Sequence, residues 1–183
     1  GNEPRTSSFL IIPGLNWTWV NADDRLFTTH GVLFGFEVRG ASTALLSDIN
    51  FVQGLLHLKW IYSLNEDNRF IVRGDLGATA IREDFQKLPA SLRFFTGGDA
   101  SVRGYAYNTI GPTDDDGKVI GGKNLLVGSL EYERRVWNNW GIAVFVDSGD
   151  AFNGAAPEMK TGAGVGLRWR SPVGPVRIDF GSG

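Results

Sequence analysis

An alternation of apolar and polar residues with a period of two, sustained on both sides of a glycine-rich centre, limits this chain to a sheet of antiparallel strands. In Val32, Phe34, Phe36 and Val38 one parity is apolar, while both charges, Glu37 and Arg39, fall on the interleaved set with Leu33 and Gly35. The same rhythm predicts strands over Phe9–Val20, Phe51–Tyr62 and Phe70–Ala80, then Leu125–Val136, Trp140–Phe152, Thr161–Arg170 and Val176–Phe180. Together these make an all-β antiparallel meander of about eight strands joined by short polar turns such as Asn21–Asp24 and Ser63–Asn68. No apolar run approaches the roughly 18 residues of a membrane helix, so the candidates are a soluble sheet protein and a transmembrane β-barrel. Glu37, Arg39, His57, Lys59, Arg73, Asp75, Glu131, Glu133, Asp147, Arg168, Arg170, Arg177 and Asp179 fall on one parity. Charges there would be costly against lipid and acceptable in a watery lumen.

Composition narrows the functions. With 183 residues, no cysteine and a formal net charge of −2, the chain has neither disulfides nor thiolate chemistry, and no concentrated basic face for nucleic acid. Twenty-five glycines and six tryptophans fit tight turns and an aromatic belt. Trp17, Trp19, Trp60, Tyr62, Trp137, Trp140 and Trp169 are expected near the ends of the apolar band. The single methionine is Met159, and no signal sequence precedes Ser8, so the chain reads as an excerpt of a longer protein.

Enzymatic readings find little support. Asp114-Asp115-Asp116-Gly117 lacks the spacing of a calcium loop, with Pro112 and Lys123 where ligands would stand. Gly162-Ala163-Gly164-Val165-Gly166 has no following helix to make a dinucleotide fingerprint. His30 and His57 sit in different elements without a spaced acidic or histidine partner, and they fill a turn and a lumen position. No catalytic, cofactor-binding or metal residue is assigned.

The stretch Leu92–Tyr107 interrupts the alternation. Gly97, Gly98 and Gly104 permit sharp turns, and Arg103 places a planar, permanently charged fork at a bend that needs an acceptor. The inward parity of strands five and six offers Glu131 and Asp147, for which an ion cluster with Arg103 explains the pairing of carboxylates better than acid–base chemistry does.

Arg93-Phe94-Phe95, Gly97-Gly98 and Val102-Arg103-Gly104-Tyr105 resemble the inward-folded loop of the outer-membrane assembly and secretion barrels, the bacterial surface antigen family of BamA and TamA. Gly128-Ser129-Leu130-Glu131-Tyr132, Phe145-Val146-Asp147-Ser148-Gly149 and Gly164–Trp169 followed by Ser171–Pro175 continue the match in the same order, and TamA is the nearest subfamily in likeness. The resemblance is specific from Leu92 to Phe180 and general from Ser8 to Ile81. It implies that residues 1–183 are the C-terminal part of a barrel domain in the bacterial outer membrane, with earlier strands, periplasmic repeats and a final strand lying outside the chain. It further implies that Arg103 contacts Glu131, Asp147 or both as an internal brace. The implied activity is insertion or secretion of outer-membrane proteins such as autotransporters. The implied partners are membrane lipid, unfolded client proteins and a periplasm-spanning TamB-like protein; no cofactor and no nucleic acid are involved. Alternation alone would equally permit a passive pore or a ligand-binding barrel. An isolated chain of this kind is expected to pair its edges with another copy or to close into a smaller barrel.

Overall fold

A computed structural model describes residues 9–183; the stretch before Phe9, where a signal sequence was sought, lies outside it. Eight strands run β1 (Gly14–Ala22), β2 (His30–Ala41), β3 (Phe51–Ser63), β4 (Asn68–Ile81), β5 (Asn124–Trp137), β6 (Trp140–Phe152), β7 (Lys160–Ser171) and β8 (Gly174–Ser182). Each pairs antiparallel with its neighbour in sequence, giving one curved sheet in the order β1 to β8. Within this single chain β1 and β8 do not pair, so the sheet is open at both edges. No helix among the described residues is long and apolar enough to cross a membrane.

The register follows from the two-residue period, since any slip by one residue would turn each strand's apolar set to the opposite face. Phe34 faces Leu58, Val72 faces Leu130, and Leu130 faces Val146, all on the convex side. On the concave side Lys59 opposes Arg73, Ser129 opposes Asp147, and Arg168 opposes Arg177. Large apolar side chains therefore remain exposed on the outside, Leu15, Val146, Val165 and Ile178 among them, whereas Glu131 and Asp147 are buried on the inside. This is the polarity of a sheet that has lipid rather than water against its outer face.

The first strand differs from the sequence expectation. It starts at Gly14, not Phe9, and it includes Asn21 and Ala22, which had read as turn. Residues 9–13 instead lie over the β2–β3 connection, where Phe9 N–H donates to Asp48 and Ile11 N–H to Ser47. Leu10 and Ile12 pack against Ala41, Ile49, Phe51, Phe85, Leu88 and Leu92, an apolar cluster at the long-loop end of the sheet. Burial of Leu10 and Ile12 outweighs strand pairing here.

The expected aromatic belt forms at one rim only, and Trp17 and Trp19, opposite Phe36 and Phe34, stand near the middle of the sheet instead. Trp60 stacks on Tyr62 and Trp140 on Trp169, each pair with ring centroids 5.7 Å apart, beside the short turns 64–67 and 138–139. Phe70 and Tyr132 add a third pair at the same end. Outward positions toward the long loops carry no such stacks, with small Ala78, Ala80, Ser148, Thr161 and Ala163 beside aliphatic Leu15 and Val52. Rings of this kind settle where apolar and aqueous phases meet, so the short-turn rim lies at one edge of the apolar band.

A charge on the convex face should be costly in proportion to its depth. Val146→Arg, at the middle of β6, is expected to destabilise the barrel in phospholipid vesicles by about 2–4 kcal/mol. Equilibrium denaturation in vesicles measures this, and a loss no larger than that of an exposed loop substitution would refute the outward assignment.

Candidate functional site: the loop docked in the lumen

Between β4 and β5 the chain makes a long excursion that returns upon itself. Phe94 and Gly122 exchange backbone hydrogen bonds of 3.0 and 2.8 Å, and Thr96 and Ile110 exchange bonds of 3.3 and 3.0 Å. The tip between them turns through Gly97, Gly98 and Gly104, with φ of 106°, 99° and 94°, a region that residues with a Cβ rarely occupy. Gly98 N–H donates to the Val102 carbonyl at 3.2 Å and Ser101 N–H to that of Gly98 at 3.0 Å, which fixes the bend that projects Arg103. The acidic stretch beyond it is folded as well: Asp114 N–H donates to the Lys118 carbonyl at 2.9 Å.

Arg103 is 2% exposed and spends its whole donor fork on the sheet. Nε and Nη2 donate to the two carboxylate oxygens of Asp147 at 2.7 and 2.9 Å, and the Arg103 backbone N–H adds a third bond to the same group at 3.1 Å. Nη1 donates to Glu131 at 2.6 Å and to Asp179 at 3.0 Å. The guanidinium also lies 3.5 Å from the centroid of the Phe145 ring. Burial by itself disfavours the cation, but the hydrogen bonds to Asp147 and Glu131 outweigh it and hold the pKa of Arg103 above its ordinary value.

Parity in the sequence points Asp179 and Arg168 inward, yet it gives them no part in this contact, because parity does not measure distance across a curved wall. In the structure Glu131 is shared: its second oxygen accepts from Arg168 Nη2 at 2.6 Å. Arg168 also donates to Glu133 at 2.8 Å and to Asp179 at 2.5 Å, and Glu133 is bonded in turn by Arg69. Arg73 completes the margin, donating to Ser129 at 3.1 Å and to the Ala100 carbonyl at 3.2 Å. The result is an alternating lattice of arginines and carboxylates spanning β4 to β8, with Arg103 as the member contributed by the loop.

The loop is held by more than ions, and the reading of His57 needs correction. The loop has an apolar grip besides its charge, since Val102 and Ile110 are buried with Val127, Tyr105 and Leu125 packed around them. Arg93 reinforces its base by donating to the carbonyls of Leu88, Ile120 and Gln86 at 2.8, 3.0 and 2.8 Å. His57 does have an acidic partner: its Nδ1 contacts Asp75, the residue directly opposite on β4. A single His–Asp pair is not a metal site, and no group of three or more candidate ligands occurs among the described residues.

Removing Arg103 leaves three carboxylates facing one another with their main cation gone. Arg103→Ala should therefore cost about 3–5 kcal/mol, and Arg103→Lys should recover only part because an ammonium cannot span two acceptors in one plane. In a double-mutant cycle with Asp147→Ala, thermal or denaturant unfolding should report a coupling of about 1–3 kcal/mol. Strictly additive losses would show that the two residues do not act together.

The Omp85 superfamily domain matches residues 3–182 of this chain. The outer membrane protein assembly factor BamA of Nitratidesulfovibrio vulgaris is 27% identical over 176 residues, covering 91% of this chain and 22% of that protein. The BamA of Neisseria meningitidis serogroup B is 22% identical, covering 98% and 27% respectively. The crystal structure of BamA from Haemophilus ducreyi lacking POTRA domains 1–3 superposes with a TM-score of 0.76 at 23% identity, over 92% of this chain and 38% of that one. The chain thus spans about a quarter of the length of these curated relatives and adopts the fold of part of a solved barrel. It belongs to the Omp85 superfamily, whose members are β-barrels of the bacterial outer membrane.

Proposed function

We propose that the parent protein is a non-enzymatic outer-membrane assembly barrel that helps insert or secrete other outer-membrane proteins, and that residues 1–183 are the C-terminal part of its barrel domain. The observation that carries this reading is the docked loop. A porin-type constriction leaves a conducting passage beside it, whereas here the Arg103 side chain is wholly consumed in fastening the loop to β5, β6 and β8. The relatives named as assembly factors support the same activity. Within that activity, the Val102-Arg103-Gly104-Tyr105 motif and its TamA-like flanks favour autotransporter-type clients and a TamB-like partner spanning the periplasm, with outer-membrane lipid around the convex face.

The test uses the full-length parent reconstituted in lipid vesicles with an unfolded client barrel. Arg103→Ala should slow client insertion on the order of tenfold, the equivalent of about 1.4 kcal/mol in the barrier, while the parent barrel itself still folds. Unchanged insertion together with a steady ionic conductance in the wild type would instead identify a passive pore.

A further inference from the structure

At the short-turn mouth of the lumen lies a cavity of about 260 Å³ that the Arg103 lattice borders but does not fill. Its lid is the β1–β2 turn, residues 23–29, which folds across the opening. The Asp24 carboxylate accepts the N–H groups of Leu26 and Phe27 at 2.7 Å, and Asp23 accepts those of Asp24 and Thr29 at 2.9 and 3.0 Å. The turn is then tied to the wall. Arg69 Nη1 donates to the Thr28 carbonyl at 2.8 Å, Ser63 Oγ donates to that of Thr29 at 2.9 Å, and the Arg170 guanidinium lies 5.7 Å from the centroid of the Phe27 ring.

Charge in this cavity is unbalanced. Eight basic side chains line it against three acidic ones, Glu66, Asp67 and Glu133. All three acids are engaged, Glu133 by Arg69 and Arg168, Glu66 and Asp67 by Arg135. Arg177 reaches Glu131 and Asp179 only at 3.4 and 3.3 Å, sharing carboxylates already bound by other arginines. Arg25 from the turn, Lys59 from β3 and Arg170 from β7 line the cavity with no ion pair among the described residues. Cations of one sign gathered in a walled cleft focus the field and draw in an anion.

We propose that this cavity is a binding site for a phosphate-type oxyanion, either free or carried as the headgroup of a lipid in the leaflet on the short-turn side. A tetrahedral, multiply charged oxyanion can accept from two guanidinium forks and an ammonium at once, and its extra charge answers more than one cation. The volume falls just below that of most drug-sized ligand pockets and suits a phosphate or a headgroup without its acyl chains. Trp140 and Trp169 belong to the wall of this cavity and stack on each other at its outer rim, so a lipid phosphate held inside would lie at the level where such rings meet headgroups.

Two probes on the full-length parent, refolded in phosphate-free maltoside detergent, separate the sources. Inorganic phosphate is titrated while tryptophan emission is followed, and phosphatidylglycerol is added as mixed micelles while retained lipid is counted by native mass spectrometry. At least one response should saturate, and Lys59→Gln with Arg170→Gln should weaken it by about tenfold or more, with increasing salt acting in the same direction. Saturation by inorganic phosphate marks a site for the free oxyanion, and saturation by lipid alone marks a headgroup site. Heat-modified gel mobility reports whether the double variant is folded. Arg25→Gln, on an exposed turn outside the strands, should weaken binding by a smaller factor and serves if the double variant does not fold. Failure of both probes to bind, or equal binding by wild type and variants, overturns the proposal.

Discussion

A buried guanidinium with more than one carboxylate around it is the contact on which the inner architecture depends. Taking Arg103 out of water costs several kcal/mol, and a single counter-ion would return only part of that. Asp147, Glu131 and Asp179 together overshoot, since three negative groups around one cation would repel one another. Arg168 relieves the excess by holding Glu131 and Asp179 from the other side, and Arg69 does the same for Glu133. The loop cation is thus one site in a lattice whose remaining members belong to the wall, so the wall itself is prepared to receive it.

The sheet is arranged in reverse of a soluble protein. Its convex side is apolar and exposed, its concave side ionic, and its two apolar clusters lie against the loop and the long-loop end instead of between layers. Lipid on one side and the docked loop on the other take the places that a second sheet or a layer of helices would occupy.

Strand number and facing were legible in the sequence because a period of two leaves one register that keeps Phe34, Leu58, Val72, Leu130 and Val146 on a common face. The start of the first strand was not, since Leu10 and Ile12 alternate with Phe9 and Ile11 as a strand would, and only the cluster around Leu88 shows that they turn inward. The His57–Asp75 contact needed the β3–β4 register, which no local pattern supplies. Inward parity located Glu131, Asp147, Arg168 and Asp179 on the lumen side, but which of them stand within reach of Arg103 depends on how sharply the sheet curls. The burial of Val102 and Ile110 was not legible, because a glycine-rich segment has no period from which it could be read.

The loop meets β7 and β8 backbone against backbone. A Cβ at Gly162 would collide with the Arg103 carbonyl oxygen, and one at Gly104 would come within 2.6 Å of the Ser182 backbone. With nothing compressible between them, the two surfaces fix their own separation. The radius of curvature of the wall at its β8 edge is therefore gauged from inside, by the thickness of a peptide chain crossing the lumen, and not by strand twist alone.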